Sequence, residues 1–283
     1  MNDAPSHDLT RPDDWRGVIL ASPHSGRDYP GWFVAESGLD TRELRSSEDA
    51  FVDRLIAPAA AAGAAVLTAR IPRCVVDLNR PADALDPAAI EGVLQRRPDR
   101  RIISGLGVIP RVVAQGRPIR SGKLTATEAA RRIDAYWRPY HATLDALMTD
   151  AVARTGRAIL IDVHSMPREA LAHLACPRPE IVIGDRNGVS ADRALSASVA
   201  QIVADAGFRV RLNSPFAGAY IAAHYGRPAR SRHVVQLEID RSLYMDEAAV
   251  RPHDGYDEFA RRFAGIVQRL ARLGDSRAAL AAE

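Results

Sequence analysis

The chain has 283 residues, 47% of them apolar and 26% charged, with a formal net charge of +3 and two cysteines. That is the profile of an ordinary soluble globular protein of one large domain, and it excludes a disulfide framework. No apolar run approaches the ~20 residues needed to span a bilayer, and the arginines are scattered through runs such as QRRPDRR (95–101), so neither a membrane nor a nucleic acid is expected as a partner.

The opening residues, MNDAPSHDLTRPDDW, lack a basic start followed by an apolar core, so no signal peptide is expected. Cys74 and Cys176 stand outside any CxxC pair, and the chain reads as reduced and cytoplasmic. The first strand is expected over 16–26, leading into the loop SPHSG. RSSEDAFVDRL (45–55) reads as the start of a helix on which Asp49 and Asp53, four apart, share a face. AAVLTARI (64–71) and RCVVDLNR (73–80) read as two further strands. The Pro/Asp/Gly-rich stretch 81–122 reads as a loop-rich insertion, a lid over the site in prospect. The spacing over 124–156 predicts a long helix. Thr125 and Glu128 form a capping box, Gly156 stops the helix, and Pro139 kinks or divides it. RAILIDVHS (157–165) and PEIVIGDR (179–186) are strands, 191–207 is a helix ending at Gly207, 208–216 and 233–241 are strands, and 254–274 is a final helix. The tail 275–283 is expected to fray.

Strands alternating with helices, several of them apolar on both faces, imply a single three-layer α/β/α domain over residues 1–283 with a mixed, largely parallel sheet. Sites in such sheets collect beyond the carboxyl ends of the strands. His24, Asn79 with Arg80, His164 and Glu238 all fall at such positions. Glu238 lies on the opposite strand face from Val235, Leu237 and Ile239. Two histidines and one carboxylate form a catalytic zinc set with a position left for water. Glu48, Asp49 and Asp53 are the nearby acids that fit, with Asp28 a weaker candidate. Asp162 is placed to hold the second nitrogen of His164.

The segments SPHSGRDYP (22–30), SEDAFVDRL (47–55), RCVVDLNR (73–80), DVHSMP (162–167), GDRNG (184–188), NSPFAGAY (213–220) and VQLEIDRSLYMDE (235–247) together resemble the N-formylglutamate amidohydrolase family. The resemblance spans roughly residues 18–250. It implies a phosphorylase/hydrolase-like fold related to the zinc carboxypeptidases and aspartoacylase. In the carboxypeptidase branch the first histidine and the acidic ligand form HxxE; here Arg27 stands in place of the glutamate. The resemblance therefore implies a metal held by His24, Asp49 and His164, with Glu48 as the alternative acid. It implies Zn²⁺, with cobalt or manganese compatible with the same donors. Glu238 would be the general base. Asn79, Arg80, Arg186 and Tyr220 would bind substrate, with Arg168, Arg227 and Arg230 as alternatives for the second cation. The implied substrate is a small acidic N-acyl amino acid, N-formyl-L-glutamate first, cleaved late in histidine degradation. Rival readings are another N-acyl substrate or a non-catalytic binding protein on the same fold.

Overall fold

A computed structural model describes residues 5–94 and 99–275. The N-terminal residues 1–4, the arginine run at 95–98 and the tail 276–283 lie outside the described residues, so the expectations that fall there stand as stated.

Seven strands form one sheet: β1 (His7–Thr10), β2 (Val18–Ser22), β3 (Ala65–Ala69), β4 (Ala158–Met166), β5 (Ile181–Gly184), β6 (Val210–Leu212) and β7 (Arg232–Asp240). Their spatial order is β1-β3-β2-β4-β7-β5-β6. The pairs β2/β3, β2/β4, β4/β7 and β5/β6 are parallel, while β1/β3 and β5/β7 are antiparallel. A two-residue pair, β8 (Met245–Asp246) and β9 (Arg251–Pro252), lies apart. The helices are α1 (Gly31–Glu36), α2 (Thr41–Arg45), α3 (Val52–Ile56), α4 (Arg100–Ile103), α5 (Ala126–Arg132), α6 (Arg138–Thr155), α7 (Arg193–Asp205), α8 (Tyr220–Tyr225) and α9 (Tyr256–Ala271).

The pleat sorts the central strands onto two cores, as a sheet covered on both sides requires. Ile19, Ala21, Leu67, Leu160 and Val234 face α6 and α8, together with the insertion residues Ile90, Val108, Ile109 and Ile119. Val18, Leu20, Val66, Ile161, Val235 and Leu237 face α3, α7 and α9. On α9 the buried residues Phe259, Phe263, Ile266, Val267 and Leu270 recur at helical spacing, so one stripe meets the sheet. The three-layer architecture with a mixed, largely parallel sheet is the one adopted.

The local expectations for residues 124–156 hold in part. Thr125 caps α5 by accepting from the Glu128 N–H at 3.1 Å, but the Glu128 carboxylate turns to Arg131 and Arg132 instead of closing a capping box. Pro139 neither breaks nor divides the helical run. Residues Ile133–Trp137 widen into a π turn, with the Arg138 N–H reaching the Ile133 carbonyl, and the run continues to Gly156 (φ 75°).

Other expectations are corrected, and of the strand expected over 208–216 only Val210–Leu212 forms. Residues 73–80 are turns, not a strand. Pro72 starts them, with Val75 and Val76 N–H groups returning to its carbonyl, and Arg80 N–H returns to Asp77. Cys74, Val75, Val76 and Leu78 are buried all the same, because an apolar run needs a core and not a partner strand. Residues 45–55 are not one helix: α2 ends at Arg45, α3 begins at Val52, and Phe51 between them is left-handed (φ 68°). Asp49 therefore shares no helical face with Asp53, which pairs with Arg27 at 2.7 Å. The edge strand β1, antiparallel to β3, carries no marked alternation, so no local pattern predicts it.

Candidate active site

The parallel strands β2, β3, β4 and β7 deliver their carboxyl ends to one side of the sheet, and the loops beyond them converge there. His24 sits two residues past β2. Its carbonyl accepts the Asp49 N–H at 2.9 Å, which ties the α2–α3 connection to the β2 loop. His164 and Glu238 lie within β4 and β7, directly opposite each other in the parallel register. The turn after β3 brings Asp77, Asn79 and Arg80.

His24, Asp49 and His164 are all buried, and one ligand atom from each lies within 4.8 Å of the others. Asp49 Oδ2 is 2.9 Å from His164 Nδ1 and 3.5 Å from His24 Nδ1. The second distance is too long for a good hydrogen bond, and His24 Nδ1 is a buried nitrogen with no protein partner. The far nitrogens are held by carboxylates: His24 Nε2 lies 2.7 Å from Asp77 Oδ1, and His164 Nε2 lies 3.1 Å from Asp162 Oδ2. Carboxylates behind two imidazoles orient them and raise their basicity as metal ligands. A divalent cation would satisfy the orphaned nitrogen and the clustered negative charge together, so the donor set fits one. The acid that joins the two imidazoles is Asp49. Glu48 faces away, accepting from Tyr29 Oη at 2.6 Å and from Arg45.

The electrostatics follow from this packing. Burial alone would raise the Asp49 carboxyl, but the neighbouring imidazoles, His164 before His24, hold it well below the ordinary carboxylate value. Asp77 is likewise depressed against its burial, by His24 and Arg73. Burial opposes charge on His164, yet Asp162 and Asp49 raise it well above the ordinary imidazole value. Glu238 is pushed up to about 7, chiefly by burial, with His164 opposing.

A cavity of about 470 Å³ opens over these groups, lined by His24, Asp49, Asn79, Arg80, His164 and Glu238. The same wall includes Arg73, Arg101, Gln236 and Arg241, which the sequence reading did not assign to the site. Gln236 Nε2 donates to Glu238 Oε1 at 2.8 Å, and Gln236 Oε1 accepts from the Ala219 N–H at 3.0 Å. Arg241 donates to Asp49 Oδ1 at 2.8 Å, so Glu238 is free of the pairing with Arg241 that a surface strand would favour. Nothing local signals that contact, since Asp49 and Arg241 are remote in the chain. Asp77 had a signal: it stands in the DLNR segment two residues before Asn79.

A model of the N-formylglutamate amidohydrolase family matches residues 16–245. The chain belongs to that family. The N-formylglutamate deformylase of Pseudomonas aeruginosa is 35% identical over 240 residues, covering 82% of this chain and 83% of the relative. That of Pseudomonas putida is 32% identical, covering 81% and 82%. The crystal structure of N-formylglutamate amidohydrolase from Ralstonia eutropha JMP134 superposes with a TM-score of 0.89 at 33% identity, over 96% of this chain and 99% of that one. A gene product of Agrobacterium tumefaciens, Atu2144, shares the fold at a TM-score of 0.66 and 18% identity. Membership makes this chain a hydrolase acting on an amide.

Within this amidohydrolase the expected substrate residues separate. Asn79 and Arg80 line the cavity, and the turn that carries them is braced by α6 and its π turn: Trp137 Nε1 donates to the Arg80 carbonyl and His141 Nε2 lies 2.9 Å from the Leu78 carbonyl. Both ends of the Asn79 amide are already engaged: Oδ1 accepts the Ile221 N–H at 2.7 Å, and Nδ2 donates to Asp162 Oδ2 at 3.4 Å, beside His164 Nε2 at 3.0 Å. Arg186 and Tyr220 are not among the lining residues. Arg186 packs beside Gly218, and Tyr220 stacks with His224 and tilts against Trp137. Of the alternatives, Arg168 pairs with Asp240 and Arg227 with backbone carbonyls. Among the described residues no helix is long and apolar enough to cross a membrane.

Proposed function

We propose that this protein is a metal-dependent N-formyl-L-glutamate deformylase, releasing formate and L-glutamate in the cytoplasm late in histidine degradation. The observation that carries the reading is the convergence of His24, Asp49 and His164, with an unbonded buried nitrogen on His24, in a cavity walled by arginines. The names of the two Pseudomonas relatives support the substrate.

His24, Asp49 and His164 would hold the ion. Zinc is our choice because two imidazoles and a carboxylate match its catalytic ligand set, though cobalt or manganese suits the same donors. When bound, such an ion supplies Lewis acidity and lets water ionise near neutral pH. Asp77 and Asp162 keep the imidazoles aimed. Glu238, with Oε1 held by Gln236, takes the proton from the attacking water and returns it to the departing amine as the C–N bond breaks. The water oxygen stays with the formyl carbon as formate. Arg80 reads a substrate carboxylate through the planar fork of its guanidinium.

The test is metal analysis of the pure protein, then formate release from N-formyl-L-glutamate before chelation, after it, and after zinc is restored. Activity lost on chelation and regained with zinc is the expected result. Undiminished activity without metal would remove the ion from the mechanism, and a fully metallated protein that releases no formate would remove the substrate.

A further inference from the structure

Four arginines line the active-site cavity, and they fall into two kinds. Arg73 donates to Asp77 Oδ2 and Arg241 to Asp49 Oδ1, each at 2.8 Å, so both are matched by carboxylates that the site itself uses. Arg80 and Arg101 have no carboxylate hydrogen-bond partner among the described residues. Arg80 is mostly buried and donates Nε to the Leu106 carbonyl at 3.0 Å and Nη1 to the Asn79 carbonyl at 3.1 Å, both neutral acceptors. Arg101 is exposed at the rim, on α4 of the 81–122 insertion. The adjacent carboxylate, Asp99, is engaged in capping that helix through the Arg101 and Ile102 N–H groups. Burial lowers the Arg80 pKa and Asp77 opposes this, while the charges of Arg73 and Arg101 lower it further. Two guanidinium groups that repel each other on one cavity wall, neither hydrogen-bonded to a carboxylate among the described residues, are the counterpart of a ligand with two negative ends.

We propose that Arg80 and Arg101 form a two-point clamp for a dicarboxylate. Arg80 takes the carboxylate next to the scissile amide and Arg101 takes the distal one. Connectivity sets this order: Arg80 follows Asn79, whose amide touches the metal-site residue His164, whereas Arg101 stands at the mouth. The inference rests on the deformylase reading and deepens it by naming the residue that selects the distal charge. It also gives the 81–122 segment a role, since that segment carries Arg101 to the wall.

The test compares N-formyl-L-glutamate with N-formyl-L-glutamine, which has the same shape without the distal charge. The wild type prefers the glutamate. Arg101→Gln lowers kcat/KM for N-formyl-L-glutamate roughly 10–100-fold, mainly through KM, and brings the ratio of the two substrates toward one. Arg101→Lys restores part of the preference. Calorimetric binding of glutarate to the metal-loaded wild type and Arg101→Gln reads the clamp without turnover, and the variant binds it more weakly by a comparable factor. An unchanged substrate ratio in Arg101→Gln overturns the clamp. If the metal-loaded wild type hydrolyses neither formyl compound, the deformylase reading fails, and glutarate affinity alone decides the clamp: equal affinity in wild type and variant overturns it.

Discussion

Glu238 joins two properties that pull against each other. It is buried, which favours the neutral acid, and it must be ionised to accept a proton. Burial pushes its carboxyl up to about 7. A base is active only as the carboxylate, so kcat/KM should fall about tenfold per pH unit on the acid side of its pKa and level off above it, and a bound cation draws that point below the metal-free value. Glu238→Gln should lose about 10²–10⁴-fold in kcat and keep its metal, because it removes a proton carrier and no ligand. A Gln variant of near-normal rate would take the role from Glu238. Asp77 acts at one remove, through the imidazole of His24. Asp77→Ala should weaken metal binding about 10–100-fold, read by competition with a chromophoric chelator. Equal affinity would make Asp77 a partner of Arg73 alone.

The loop 23–26 and the strand pair β4/β7 set the geometry between them. The strand pair needs no special residue, since parallel register places His164 opposite Glu238 and Asp162 opposite Gln236. The loop does need one. A Cβ on Gly26 would lie 2.1 Å from the Ile71 carbonyl oxygen, so the chain leaving β3 can pass only over a glycine. Gly26→Ala should cost about 1–3 kcal/mol, measured by chemical denaturation, and weaken metal binding by displacing His24. A variant as stable and as metal-avid as the wild type would show that the loop moves freely.

In the folded molecule seven segments distant in the chain share one cavity, and the buried acids among them are held together by charge. Without a cation the cluster keeps an unsatisfied imidazole nitrogen. Metal that binds the native state and not the unfolded chain stabilises by mass action, by about 2.7 kcal/mol at a hundredfold excess over Kd. Chelation should therefore lower Tm, and restored zinc should raise it. A Tm indifferent to both would mean that no ion is held by the fold.

Much of this was readable in the chain itself. The apolar run 158–163 is long enough and flanked clearly enough to be a buried strand whatever surrounds it, and the period of α9 is fixed by its own residues. The central strands of the sheet, its class and the positions of His24, His164 and Glu238 near strand ends follow from such local patterns. What the sequence left open depends on partners remote along the chain. Residues 73–80 have strand composition, yet no neighbouring strand is there to accept their N–H groups, so they close on themselves as turns. Asp49 and Glu48 are adjacent and chemically alike. Only the fold turns one toward two imidazoles and Arg241 and the other toward Tyr29. Arg101 and Arg186 are both arginines in polar segments, and only tertiary packing puts the first and not the second among the residues that line the cavity. Local patterning determined which elements form, because it is read within a few residues; the fold decided which charges meet, because that is settled across the whole sheet.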